Sequence, residues 1–255
     1  EEKAMGALNN TDKLAGMIME CSNIVFFGGA GVSTESGVKD YRSEDGLYNT
    51  VKEYGISPEE ILSHDFFFEN TAVFYDFYRK YFISAAKPNN AHKALALLEK
   101  AGKLRTVITQ NIDGLHQMAG SRNVIELHGT ANEFVCCSCG RKAESDAIKD
   151  IIKSGAVPKC KYCSGLIKPK VVLYGESLYD GVAESAVGYI SEADMLIVGG
   201  TSLAVYPAAS FVRYFKGKYL VIINKTVTDY DYKADLVVRD NIGEFFESVI
   251  GQLKL

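Results

Sequence analysis

Five of the six cysteines crowd between positions 136 and 163, as Cys136-x-x-Cys139 and Cys160-x-x-Cys163 with 20 residues between the pairs and Cys137 inside the first. Each CxxC turn brings two sulfurs together, and two such turns close the tetrahedral shell that Zn2+ prefers. Four protein sulfurs leave no position for water, so the metal would be structural, not catalytic; iron–sulfur ligation is the alternative chemistry for the same residues. The sixth thiol, Cys21, reads as a small buried apolar residue.

A second group of residues lies at the ends of short apolar runs. Gly29-Ala30-Gly31-Val32-Ser33-Thr34 follows the run 23–27, where loop amides suit a pyrophosphate. Thr34 stands where the third glycine of a dinucleotide fingerprint belongs, so this loop alone is ambiguous. Thr109-Gln110-Asn111-Ile112-Asp113 follows 104–108, Gly199-Gly200-Thr201-Ser202 follows 195–198, and Asn224 follows 219–223. In an open parallel sheet, ligands bind beyond the carboxyl ends of the strands. Any one of these ends is readable as a tight turn; four together suit a ligand rich in phosphate and ribose. Of the four histidines, His64, His92, His116 and His128, the last follows the short segment 123–127 at the edge of this crevice. It is a candidate acid or base, with a structural role as the alternative, while His92 and His116 read as structural.

The elements that must position these residues follow from periodicity. Runs 23–27, 104–108, 171–174, 195–198 and 219–223 are short, β-branched or aromatic, and bounded by turn residues, as buried parallel strands are. Residues 91–100 place Ala91, Leu95 and Leu98 on one helical side, and 180–193 and 207–214 read similarly. Alternating strands and helices predict an α/β fold, a doubly wound parallel sheet covered on both faces. Residues 35–90 read as a loop with short helices. Residues 129–169 hold the cysteines and carry no strong strand signal, so both stretches read as insertions.

At 255 residues, 47% hydrophobic and 24% charged, the chain is neither disordered, coiled-coil nor collagen-like. Its 28 basic against 32 acidic residues (net −4) argue against whole-surface binding to nucleic acid or anionic membrane. No stretch approaches the ~18 apolar residues of a membrane span, and the opening residues lack a secretion-signal pattern. A soluble, cytoplasmic protein is expected.

Taken together, these residues resemble the sirtuins, of bacterial type. Gly29 to Ser33, continuing through Ser36-Gly37-Val38-Lys39-Asp40-Tyr41-Arg42, is similar to the family's cofactor loop, GAGxS…SGIPDFR. Residues 109–116 match TQNIDxLH, Glu126-Leu127-His128-Gly129 matches the catalytic segment, and the paired CxxC, Tyr174-Gly175-Glu176, Gly200-Thr201-Ser202 and Ile223-Asn224 follow in family order. The resemblance spans residues 20 to 245. Lys39 replaces the usual proline, which loosens the loop, and Tyr41 and Tyr174 replace phenylalanines while keeping an aromatic face.

The resemblance implies a Rossmann-like NAD-binding domain from residues 8–34, 92–128 and 170–255, a cofactor-loop and helical module at 35–91, and a zinc module at 129–169. It implies a deacylase, a transferase that moves acetyl or longer neutral acyl groups from protein lysine to NAD, releasing nicotinamide and O-acyl-ADP-ribose. Gly29, Ala30, Gly31, Ser33, Thr34 and Arg42 would meet the phosphates, and Tyr41 would cover the nicotinamide side. Asp113, with the Ile112 backbone, would hold the carboxamide, and Gln110 and Asn111 the ribose hydroxyls and a water. Gly200, Thr201, Ser202, Asn224 and Ile242 would hold the adenosine half. His128 would deprotonate a ribose hydroxyl, with Asn111 and Asp113 completing the catalytic set. Val172, Leu173, Tyr174 and Gly175 would offer a strand edge to the substrate peptide.

Sirtuins that prefer succinyl or malonyl groups carry Tyr-x-x-Arg on a helix. Here Tyr75 is followed at i+3 by Tyr78, with Arg79 one position later, so neutral acyl groups are expected over succinyl. The expected partners are acyl-lysine proteins, with no membrane and no nucleic acid, and the expected state is a monomer. The alternatives are a mono-ADP-ribosyltransferase or NAD hydrolase, and a zinc module binding nucleic acid through residues 136–170, where eight Lys or Arg against three Asp or Glu leave +5.

Overall fold

The computed structural model describes residues 2–40, 51–83 and 85–253. In chain order the helices are α1 (Glu2–Glu20), α2 (Val51–Tyr54), α3 (Pro58–Ile61), α4 (His64–Glu69), α5 (Thr71–Tyr81), α6 (Asn90–Lys100), α7 (Leu115–Ala119), α8 (Ser145–Lys153), α9 (Val182–Glu192) and α10 (Ile242–Leu253). The strands are β1 (Ile24–Gly28), β2 (Leu104–Thr109), β3 (Val124–Glu126), β4 (Gly129–Cys136), β5 (Lys142–Ala143), β6 (Ile167–Val171), β7 (Met195–Gly199), β8 (Tyr219–Ile223) and β9 (Leu236–Val238).

Six strands form a sheet in the order β3-β2-β1-β7-β8-β9, every pairing parallel. Strands β1 and β7, at its centre, bury every residue, because helices cover both faces. Alternation divides their side chains. Phe26 and Ile197 pack with α1, α6 and α10, whereas Phe27 and Val198 pack with α9 and the 3-10 helix Ala208–Tyr214. The edge strands β3 and β9 have only three residues each, which limits the exposed hydrogen-bonding edge. Chain order reverses between β1 and β7, so the crevice of a doubly wound sheet opens beyond Gly28 and Gly199, which face each other in register.

The expected parallel strand at 171–174 is corrected. Only Val171 is in a strand, and that strand is β6 of a separate antiparallel sheet, β5-β4-β6. The region expected to lack strands thus holds three. Its apolar period is diluted, since Asn132, Glu133 and Lys142 face water and β6 reads Ile-Lys-Pro-Lys-Val. This sheet shares a third core with the helical insertion, in which Phe74, Phe77 and Tyr78 of α5 pack with Phe134, Ile152 and Ile167.

Candidate active site

The two glycine turns at the switch point interlock. A Cβ on Gly31 would sit 2.8 Å from the Gly200 Cα, and one on Gly29 would sit 2.8 Å from the Thr201 Cβ. Gly200, at φ +58, is the residue whose left-handed backbone lets this approach happen. Four loop amides already donate to backbone carbonyls: Gly29 to Gly199, Gly31 to Gly200, Val32 to Gly29, and Ser33 to Ala30. The loop therefore offers a ligand close backbone approach more than a row of open amides. The Thr34 hydroxyl turns back to the Gly31 carbonyl at 3.1 Å. Tyr41 and Arg42 lie outside the described residues.

Ser33, fully buried, is the hub of the crevice floor. Its hydroxyl donates to Asp113 Oδ2 at 2.7 Å and accepts from Asn111 Nδ2 at 3.1 Å. The second Asp113 oxygen accepts the Leu115 amide at 2.9 Å, which fixes the carboxylate at the start of α7. His92 adds a contact that sequence reasoning misses. Its Nδ1 accepts the Asn89 amide at 3.3 Å, so a neutral ring carries its proton on Nε2, 3.4 Å from the Ser33 hydroxyl. The available signal is Asn89 preceding a helix with His92 at its third position, a capping box whose second residue also faces the site.

His92 and His116 are both buried, with ring centres 4.7 Å apart, and neither His116 nitrogen has a hydrogen-bond partner among the described residues. Burial pushes His92 down to about 4 and His116 to about 3, so both rings are neutral.

His128 stands where the chain leaves β3 for β4. The next residue, Gly129 (φ +72), leaves no room for a side chain, since a Cβ there would lie 2.2 Å from the Lys170 carbonyl oxygen. His128 Nδ1 lies 2.9 Å from the Gln110 carbonyl oxygen, which can only accept, so a neutral imidazole carries its proton on Nδ1 and leaves Nε2 as a lone-pair acceptor. Burial lowers its pKa, opposed by the Gln110 bond, and the net shift is downward. Gln110 spans the crevice, donating through Nε2 to Thr201 Oγ1 at 3.0 Å.

The other expected site residues divide. The Ile112 carbonyl accepts the Ala131 amide at 2.9 Å, joining this floor to the small sheet. Thr201 is buried and Ser202 exposed, both directly after β7. Asn224 is held by Thr226, its Nδ2 donating to that residue's carbonyl and hydroxyl. Ile242 is a core residue whose Cδ1 lies 2.6 Å from where a Gly199 Cβ would be. Val172 donates to the His128 carbonyl at 2.9 Å, which sets the segment 172–175 beside the histidine, with Leu173 buried and Tyr174 and Gly175 exposed.

The Tyr75 and Tyr78 hydroxyls are committed to the Ile167 and Ala131 carbonyls, at 2.5 and 3.0 Å. Arg79 is paired with Asp76.

In the small module Cys136, Cys139, Cys160 and Cys163 place their sulfurs within 4.8 Å of one another, and Cys137 stays outside the group. The separations of 3.4 Å (Cys136–Cys163) and 3.8 Å (Cys139–Cys160) lie close to the roughly 3.8 Å edge of a tetrahedron with Zn–S near 2.3 Å. The Cys139 and Ser138 amides hold the Cys136 thiol down at about 6, and the Tyr162 and Cys163 amides lower Cys160. Amide donors that favour thiolates suit a cation. The residues fit structural zinc.

A family model described as the Sir2 family matches residues 29–207. A Clostridium acetobutylicum protein named NAD-dependent protein deacetylase is 53% identical over 245 residues, covering 95% of this chain and 99% of that one. A Sulfurisphaera tokodaii protein of the same name is 43% identical over 249 residues, covering 95% and 96%. Among solved structures, one described under the mechanism and regulation of Sir2 enzymes superposes with TM-score 0.88 at 35% identity, covering 96% and 98% of the two chains. A Sir2 complex with p53 peptide and NAD+ does so with TM-score 0.85 at 37% identity, covering 94% and 97%.

Proposed function

The chain belongs to the Sir2 family, and from that premise we propose how its own residues carry out the family's reaction. That reaction is NAD-dependent removal of acetyl groups from protein lysine side chains. When bound, NAD supplies the ribose carbon that loses nicotinamide and captures the acyl oxygen.

The observation that carries the assignment is the His128 imidazole, its Nδ1 on the Gln110 carbonyl and its Nε2 lone pair unprotonated at neutral pH. His128 acts as general base, taking a proton at Nε2 from a hydroxyl placed beside it. The chemistry of the floor fits the rest of the ligand. Asn111 and Asp113, tied through Ser33, orient a carboxamide and a ribose, and Gln110 holds the opposite wall to Thr201. Gly29, Ala30, Gly31, Ser33 and Thr34, with Tyr41 and Arg42, serve the phosphate and nicotinamide end. Gly200, Thr201, Ser202, Asn224 and Ile242 serve the adenosine end, with Ile242 shaping its floor. The segment Val172, Leu173, Tyr174 and Gly175 pairs with the acyl-lysine peptide by strand addition. Cys136, Cys139, Cys160 and Cys163 hold structural zinc.

In the proposed division a Rossmann-like domain (8–34, 92–128 and 170–255) has its own two cores on either face of the sheet, while the helical module (35–91) and the zinc module (129–169) share a third, into which Val171 and Leu173 also pack. Neutral acyl groups are favoured over succinyl, since Tyr75, Tyr78 and Arg79 are engaged within the protein and assemble no grip for an acid. A monomer is the proposed state, since the contacts from Ser33 to Asp113 and Asn111 and from Gln110 to Thr201 assemble the crevice within a single chain. The cytoplasm, where thiols are kept reduced, is the proposed location, since four of the six cysteines serve as metal ligands. Among the described residues no helix is long and apolar enough to cross a membrane. Four of the eight cations between 136 and 170 are in ion pairs, which weighs against a nucleic-acid surface.

The test is product mass spectrometry with NAD and one peptide carrying acetyl-, myristoyl- or succinyl-lysine. Nicotinamide, deacylated peptide and O-acyl-ADP-ribose should form in equal amounts, with succinyl turned over at least about tenfold less well in kcat/KM. Nicotinamide release that ignores the peptide would establish an NAD hydrolase instead. A tenfold succinyl advantage would show that Arg79 reaches the acyl group.

A further inference from the structure

Lys168 is the one lysine among the described residues to be buried, at 9% exposure, and it lies outside the site described above. Its Nζ donates to the Val171 carbonyl and to Glu176 Oε2, both at 2.8 Å, and the same Oε2 accepts the Leu173 amide at 2.8 Å. The other paired lysines of this module, Lys142, Lys153 and Lys170, keep 70%, 58% and 38% of their side chains exposed, against 11% for Lys168. A buried ion pair is weak evidence of added stability, because desolvation offsets the attraction; its better-attested use is to fix one geometry among several.

The geometry it fixes is that of residues 171–176. The ammonium ties the carbonyl where the segment leaves β6 to the carboxylate where it ends, and the turn closes with Gly175 at φ +88 and the Glu176 amide on the Leu173 carbonyl at 2.9 Å. Between these anchors, Val172 donates to the His128 carbonyl. The Tyr174 amide donates to Leu62, and the Tyr174 carbonyl accepts from the His64 amide. The segment thus spans the gap between His128 and the helical module, and the ion pair sets its length and height there.

We propose that Lys168 and Glu176 are positioning residues for substrate: their pairing holds the segment 172–175 at the height where an acyl-lysine peptide adds to it, and so governs peptide affinity and not the chemical step. This rests on the reading above that 172–175 receives the peptide. A preorganised segment lowers the ordering cost of binding, and removing one partner leaves the other charge buried.

Lys168→Met, Glu176→Gln, the double variant and Lys168→Arg are compared by anisotropy of a fluorescein-labelled peptide bearing one acetyl-lysine, by calorimetric NAD titration, and by steady-state turnover. Each charge-removing single variant should weaken peptide binding about tenfold, and the double variant should also lose about tenfold, not a hundredfold, because the pair acts as a unit. kcat, NAD affinity and zinc content should stay near the parent, Tm should fall in the single variants, where one charge stays buried without its partner, and Lys168→Arg should restore peptide affinity to within about threefold. Unchanged peptide affinity in folded Lys168→Met and Glu176→Gln overturns the proposal, as does a parallel loss of NAD affinity. If Lys168→Met does not fold, Glu176→Gln carries the same test. A parent that binds peptide without turning it over would fail the deacetylase reading and leave the binding comparison intact.

Discussion

At the crevice, Gln110 and Asn111 follow β2 and Thr201 follows β7, strands whose neighbours are buried on both faces. In the metal module, the four sulfurs hang from turns of a three-stranded sheet with polar residues on one side. The crevice residues are held by a core that owes nothing to them. The sulfurs are themselves core: Cys136 and Cys160 are buried in the cluster that also holds Phe74, Tyr78, Phe134 and Ile167. Chemistry and folding are therefore separable at the crevice and inseparable at the metal. A side chain can be removed from the crevice floor without unfolding it, whereas a ligand removed from the metal module takes a core with it.

The largest effect follows from that contrast. Cys160→Ala should lose zinc, from about one per chain to none, and with it the module and the helical insertion, since structural zinc contributes roughly 10 kcal/mol or more to small metal-held folds. Metal analysis and thermal unfolding check it, with aggregation or loss of the cooperative transition expected. Persistence of both fold and activity after chelation would place zinc outside the folding account.

His128→Ala should do the reverse, lowering kcat by about a thousandfold, within the usual range for a lost general base, while Tm and NAD affinity stay at parent values. Retained turnover would remove His128 from its role, and a large drop in Tm would erase the contrast between the two regions.

The smallest effect belongs to the buried histidine pair beneath the crevice. In the unfolded chain both rings titrate near 6.5, whereas folding holds His92 to about 4 and His116 to about 3. Below pH 6.5 the unfolded chain therefore binds more protons. Stability is fully present above pH 6.5 and is lost as pH falls, until about 4 for His92 and about 3 for His116. Each ring contributes roughly 1.4 kcal/mol per pH unit within its window. His116→Leu should halve that part of the slope between pH 6 and 4 in urea unfolding; an unchanged slope would mean that His116 is not held neutral.

The same contrast governs what the sequence makes legible. Strands β1, β7 and β8 can be read directly, because burial on both faces demands unbroken apolar runs such as Ile24 to Phe27, and β2 is legible from Val107 and Ile108 although Arg105 is exposed. The switch-point crevice follows from the glycines that end two of them. The metal ligands are legible for another reason, since CxxC spacing is imposed by coordination geometry and survives any surrounding pattern. The sheet that carries them is not. Thr130, Asn132, Glu133, Lys168 and Pro169 interrupt its period, and its pairing of Phe134 with Pro169 joins residues 35 positions apart. His92 is hidden similarly, because its partner Ser33 lies 59 residues away and nothing local distinguishes a capping histidine from one that faces the floor.

The chemistry rests on a neutral His128 with its proton on Nδ1 and its lone pair on Nε2. With only four histidines in the chain, nitrogen-15 NMR of histidine-labelled protein, assigned with single-site variants, reads this directly across a pH titration. The Nδ1–H tautomer is expected for His128 at pH 7.5, with a titration midpoint below 6.5. An Nε2–H tautomer, or a ring still charged at neutral pH, would contradict it.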